Sequence, residues 1–248
     1  MYNRTISSSL LFHFTKSEEV IVSILKNGFY PMTAIEDVSF MMPNYKEAKI
    51  GIPMVCFTDI PIEQSKKHRE EYGQFGLAMK KEWGMKHGLN PILYVVKDSE
   101  VYNAYNHLQY VVLKQYENEK NDQEGILDLI EAFMNYAGFM KEYTNDPAMQ
   151  AKPFYDEREW RYLPHFKEET EGMDGYCNRL LPDMVDNVHE KSKLNKSMQE
   201  KYALKFDIDD VAQIILPTSC DIKKIQILLQ EANLDVSIEE YINKIIQV

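Results

Sequence analysis

Two long helical regions, roughly Glu100 to Glu117 and Gln123 to Tyr143, stand between two groups of short apolar segments, and this interruption most constrains the fold. Before them lie Leu10 to Thr15, Pro53 to Thr58, Tyr72 to Met79 and Pro91 to Val96, each short, apolar and bounded by Gly, Pro or Asp, as strands are. After them come Glu157 to Leu163, alternating polar and large residues with period two, and Val211 to Leu216. Strands grouped in this way, rather than alternating one for one with helices, predict an α+β class with a mixed or antiparallel sheet. With no internal repeat and no interdomain linker, residues 1-248 read as a single α+β domain carrying a helical insertion at 100-143.

Smaller signals fill in this frame. Thr15-Lys16-Ser17-Glu18 fits a T-x-x-E capping box ahead of Val20, Ile21, Ile24 and Leu25, which share a helical face, and Gly28 is the stop. Ser65 to Tyr72 reads as a charged helix. The stretch from Pro31 to Gly51 has no clean period and reads as a long loop of the kind that often serves as a lid. Residues 167-200, rich in Lys, Glu, Asn and Asp, read as a charged flexible insertion. Ile222 to Leu229 then reads as a helix, before a final ordered stretch from Ile238 to Val248.

Charge narrows the function classes. With 28 basic against 39 acidic residues the net charge is -11, which repels phosphate backbones and argues against broad nucleic-acid binding. Cys56, Cys177 and Cys220 show no C-x-x-C spacing and the six histidines no ligand spacing, so neither a disulfide framework nor a metal site is expected. No 18-residue apolar run and no signal-peptide core appear, so a cytoplasmic protein without a membrane span is expected.

Three places carry residues suited to chemistry. His13 sits between Phe12 and Phe14, where period two sends its imidazole to the face opposite theirs, toward a cleft or a polar partner. Thr15 shares that face, although the capping box gives it another role. Glu157 and Glu159, two apart on a predicted strand, project together with Arg161; paired carboxylates raise one pKa and a neighbouring guanidinium offsets the rise. Tyr72 precedes Gly73 and Gly76, an aromatic with a polar tip beside backbone that a ligand can approach. Each also has a plain structural role open to it: a satisfied strand histidine, a solvated edge strand, a tyrosine capping the core.

Taken in order, Leu11-Phe12-His13-Phe14-Thr15, Val55-Cys56-Phe57-Thr58-Asp59-Ile60-Pro61, His68 with Tyr72-Gly73-Gln74-Phe75-Gly76, and Glu157-Arg158-Glu159-Trp160-Arg161 resemble the AbiGi family of abortive-infection, phage-resistance proteins, from about residue 10 to 220. That family is usually described as the antitoxin half of a two-gene defence system, so the resemblance implies a cognate toxin as partner. The same residues also resemble the H-Y-E pattern of the ADP-ribosyltransferase-like fold. That likeness implies NAD as substrate, with His13, Tyr72 and Thr15 binding it and Glu159 and Glu157 as the catalytic acids of an E-x-E pair. Phe12 stands where the pattern has Tyr, and Cys56-Phe57-Thr58 where another transferase branch has Ser-Thr-Ser. Two functions follow: ADP-ribose transfer from NAD to a macromolecule, or a non-catalytic antitoxin-type module that neutralises a toxin.

Overall fold

The computed structural model describes residues 7–41, 47–118, 123–146, 148, 150, 153–164, 179–180, 182–232 and 237–248. Its central strand is β1 (Leu10–Thr15), apolar on both faces because both are covered. β1 runs antiparallel to β4 (Phe75–Lys80) along its whole length, from Leu10 opposite Lys80 to Thr15 opposite Phe75, and meets β3 (Lys49–Thr58) at Phe12 opposite Thr58. β8 (Glu159–Tyr162) and the two-residue β5 (Asn90–Pro91) extend the sheet beyond β3. β9 (Val211–Leu216) and β10 (Ile245–Gln247) extend it beyond β4. β2 (Met32–Asp37) adds to β3, completing an eight-stranded mixed sheet in which the β9–β10 pair is parallel. A separate parallel pair joins β6 (Leu93–Val95) to β7 (Met140–Glu142).

Among the described residues two large apolar cores hold helices against the sheet, and a smaller one holds the helix Val188–Lys201. Ile21, Ile24 and Leu25 of α1 (Glu18–Asn27) and Ile225 and Leu229 of α7 (Ile222–Ala232) pack on Leu11, Phe57, Leu77 and Ile214 of the sheet. Each such aliphatic side chain contributes roughly 1.5–3 kcal/mol by leaving water. The second core joins Ile50, Ile52 and Met54 of β3 to Tyr102, Tyr105 and Val112 of α4 (Glu100–Asn118) and Phe133 and Ala137 of α5 (Gln123–Gly138). Near the C-terminus, α8 (Ile238–Ile242) leads into β10.

Several expectations change. Flanking segments of the 31–51 stretch are not a loop: Met32 to Asp37 pairs residue for residue with Lys49 to Met54, and a 3-10 turn follows at Ser39–Met41; residues 42–46 lie outside the described residues. β2 hides from a periodicity reading because its pattern is inverted, with Thr33 buried and Met32 and Ile35 exposed. Asn195 explains the inversion, since its Oδ1 accepts both the Thr33 amide and hydroxyl at 2.8 and 2.7 Å. Asn195 itself lies in α6 (Val188–Lys201), an ordered helix that buries Leu194 and Met198 where a flexible insertion was expected; residues 165–178 lie outside the described residues. The capping box is absent: Ser17 is the N-cap of α1, and the Thr15 hydroxyl donates to the Ser17 carbonyl at 3.2 Å.

Tyr72 ends a helix, α2 (Lys66–Tyr72), rather than opening a strand. Gly73 makes the break, with φ +134 and a position where an added Cβ would lie 1.9 Å from the Thr15 carbonyl oxygen. Only glycine fits both demands. Short α3 (Lys81–Lys86) continues from β4. Gly73→Ala should therefore lower unfolding stability by roughly 2–4 kcal/mol in urea denaturation with an unchanged m-value. A loss below about 0.5 kcal/mol would show that the turn is not held as described.

Candidate functional site

A cluster of ionised side chains lies where β8, β2 and the α5–β7 corner meet. Alternation along β8 puts Glu159 and Arg161 on one face and Trp160 and Tyr162 on the other, where the latter two join the first core. Arg161 is 1% exposed, and each of its three guanidinium nitrogens donates: Nε to Glu159 at 2.7 Å, Nη1 to the Gly138 carbonyl at 2.8 Å, and Nη2 to Glu36 at 2.9 Å and Glu159 at 3.2 Å. Lys141 of β7 completes the cluster, bonding Glu157 at 2.8 Å and Glu159 at 3.3 Å while its ammonium sits 4.9 Å from the Phe154 ring centre. Burial would raise the Glu159 carboxyl, but the Arg161 and Lys141 cations win and hold it at about 2, down from its ordinary 4.5. Burial alone would lower the Lys141 ammonium, yet the two glutamates keep it above its usual range.

Glu157 is not on the strand. It closes a 3-10 turn, Phe154–Glu157, and Arg158 in the left-handed region (φ 46) separates it from β8. The expected E-x-E face is therefore built by a turn and a strand, with Lys141 clamping the two acids together. The Tyr72 hydroxyl donates to Glu157 at 3.4 Å, and burial next to these acids pushes that phenol well up. His68, one helical turn earlier, lies between Tyr72 and Phe14, with ring centres 4.4 and 5.7 Å away. The Glu159 amide donates to the Tyr94 hydroxyl at 2.9 Å. The structure thus brings Tyr72, Glu157 and Glu159 together.

His13 and Thr15 stand apart from them. The His13 ring packs against Phe29 and Phe57 at 5.1 and 5.5 Å, on the side of β3 that carries the first core, and its Nδ1 lies 2.8 Å from the Cys56 carbonyl. Burial pushes this imidazole below its usual range, and the bond to Cys56 offsets only part of that. Among the described residues no hydrogen bond or ring contact joins His13 to Tyr72, Glu157 or Glu159; the link is indirect, through Cys56, whose thiol is a hydrogen-bond partner of Glu159. Thr15 is occupied at the start of α1. Lys141, Glu36 and Tyr94 were missed as site residues: Lys141 fell inside a helix read as continuing to Tyr143, Glu36 inside the supposed loop, and Tyr94 was one aromatic of an ordinary strand. Among the described residues no group of three or more His, Cys, Asp or Glu could hold a metal ion, and no helix is long and apolar enough to cross a membrane.

The family model described as "Putative abortive phage resistance protein AbiGi, antitoxin" matches residues 27–217. The chain belongs to the AbiGi family. A curated relative, the abortive phage resistance protein AbiGi of Lactococcus lactis subsp. cremoris, is 29% identical over a stretch covering 76% of this chain and 80% of the relative. No solved structure matches this AbiGi chain. The matched region contains the whole ionised cluster, from Glu36 through Arg161.

The cluster's first role is to close the fold, because a guanidinium this deep is costly unless every donor is used. Arg161→Met should cost about 3–5 kcal/mol in chemical denaturation, since it leaves buried Glu159 with Lys141 as its one remaining cation among the described residues, and adding Glu159→Gln to it should recover about 1–3 kcal/mol. A neutral Arg161→Met would contradict the assignment.

Proposed function

We propose that this AbiGi-family chain acts as an antitoxin-type binding module in abortive infection, neutralising a toxin partner by complementarity rather than by catalysis. The observation that carries this reading is the state of its acids: both oxygens of Glu159 are taken by Arg161 and Lys141, and Glu157 is shared between Lys141 and Tyr72. A carboxylate that stabilises a developing cation must hold its charge available for that cation. Here both acids are already engaged by cations of the protein, Arg161 and Lys141. The net charge of -11 suits capture of a basic toxin, with electrostatics raising the association rate.

A second reading, NAD binding with ADP-ribose transfer, has one observation in its favour: Tyr72, Glu157 and Glu159 share a site, and Cys56 bridges from Glu159 toward His13. It requires the carboxylates to exchange Lys141 for substrate and His13 to reach the same molecule. The two readings separate in one set of measurements on the full chain with the toxin encoded beside it. The antitoxin reading expects co-purification, weakening between about 0.05 and 0.5 M salt, no calorimetric heat with NAD, and unchanged protection of co-expressing cells by Glu157→Gln. Saturable NAD binding together with loss of protection in Glu157→Gln would replace it with the enzymatic reading.

A further inference from the structure

A mainly apolar cavity of about 640 Å³ opens beside His13, along the edge of β3 where pairing with β1 ends and pairing with β2 begins. Val20 and Ile24 of α1, Phe29, Met32 and Met54 form apolar walls, and Gln199 of α6 stands at the rim, its amide 3.7 Å from the Met32 sulfur. The volume falls in the range of small-molecule sites. Neither Lys nor Arg is among the lining residues, and the one charged group, Glu19, is an acid, so a phosphate or carboxylate ligand would find no counter-charge. Thr33 faces the cavity with its hydroxyl already committed to Asn195. Ser23, Tyr30 and Gln199 add further neutral polar groups to the lining, and the imidazole adds an acceptor held in a fixed orientation by its ring contacts.

That imidazole has a defined tautomer. A carbonyl can only accept, so the 2.8 Å contact with the Cys56 oxygen places a proton on Nδ1. Burial keeps the ring neutral near pH 7, so Nε2 is left as a lone-pair acceptor. Among the described residues the Cys56 carbonyl is the one hydrogen-bond partner found for this ring, at Nδ1. We propose that the cavity binds a small, uncharged, mainly apolar molecule bearing one O–H or N–H group, which donates to Nε2 of His13. Phe29 and Phe57 fix the ring edge-on and tilted, so the acceptor is held in place before the ligand arrives. This site does not rest on the antitoxin reading, and losing toxin capture would leave it intact.

A pair of probes isolates the donor: 2-naphthol, and 2-methoxynaphthalene, which has nearly the same shape and no O–H. Both are titrated into the full chain while the ring nitrogens of His13 are followed by 15N NMR. The site expects 2-naphthol to bind about tenfold more tightly than its methyl ether and to shift the unprotonated Nε2 resonance upfield in a saturable way. His13→Phe keeps the packing on Phe29 and Phe57 and should abolish the difference between the probes. Equal affinities, an Nε2 resonance that does not move, or no binding by either probe would overturn the proposal. The wild-type titration decides even if the variant does not fold.

Discussion

One guanidinium ties this molecule together. Arg161 is among the most deeply buried side chains, and its donors reach the last turn of α5, the glutamate two residues before it on β8, and Glu36 on β2. Gly138 lies 23 residues before Arg161 in the chain and Glu36 lies 125 before it. A buried cation is costly unless its donors are bonded, and in engaging all three guanidinium nitrogens of Arg161 the chain fixes how the α5–β7 corner sits against the sheet. Lys141, next to that corner, then falls within reach of both glutamates. Geometry at the acids follows from the demands of the arginine.

The same network governs what the acids can do. A pair of exposed carboxylates would attract a cationic centre or hold a raised pKa suited to proton transfer. Glu159 is instead held low by two cations, and Glu157 is engaged by Lys141 and Tyr72. Chemistry at this place would first have to dismantle bonds that support the fold. An AbiGi-family module that recognises a partner by its surface makes no such demand, and the cavity beside His13 is lined by neither Glu157 nor Glu159.

Much of this was legible before any coordinates. The β1 sequence Leu-Leu-Phe-His-Phe-Thr reads as a strand, though not as one covered on both faces, Glu159 and Arg161 show their shared face through period two, and the α+β class with two long helices follows from the grouping of strands. What stayed hidden depended on distant partners. β2 could not be seen because Thr33 is buried on account of Asn195, far along the chain, while Met32 and Ile35 face outward. α6 was masked by its charge, since only Leu194 and Met198 mark its inner side. Glu157 looked like a strand residue because alternation continues through Arg158, and the left-handed backbone there leaves no mark in residue type. Lys141 was lost because the α5 pattern runs smoothly into Met140–Glu142, where a three-residue strand pairs with β6.

The most direct test is a carboxyl 13C titration of Glu159 in the folded chain. Held by Arg161 and Lys141, it should titrate at about 2 against 4.5 in the unfolded chain, so the stability it adds is complete above pH 4.5 and drains away as the pH falls toward 2. A midpoint at or above 4.5 would mean that the carboxylate is not held by the two cations and is free to serve a substrate, and the account of this cluster as structural would fail.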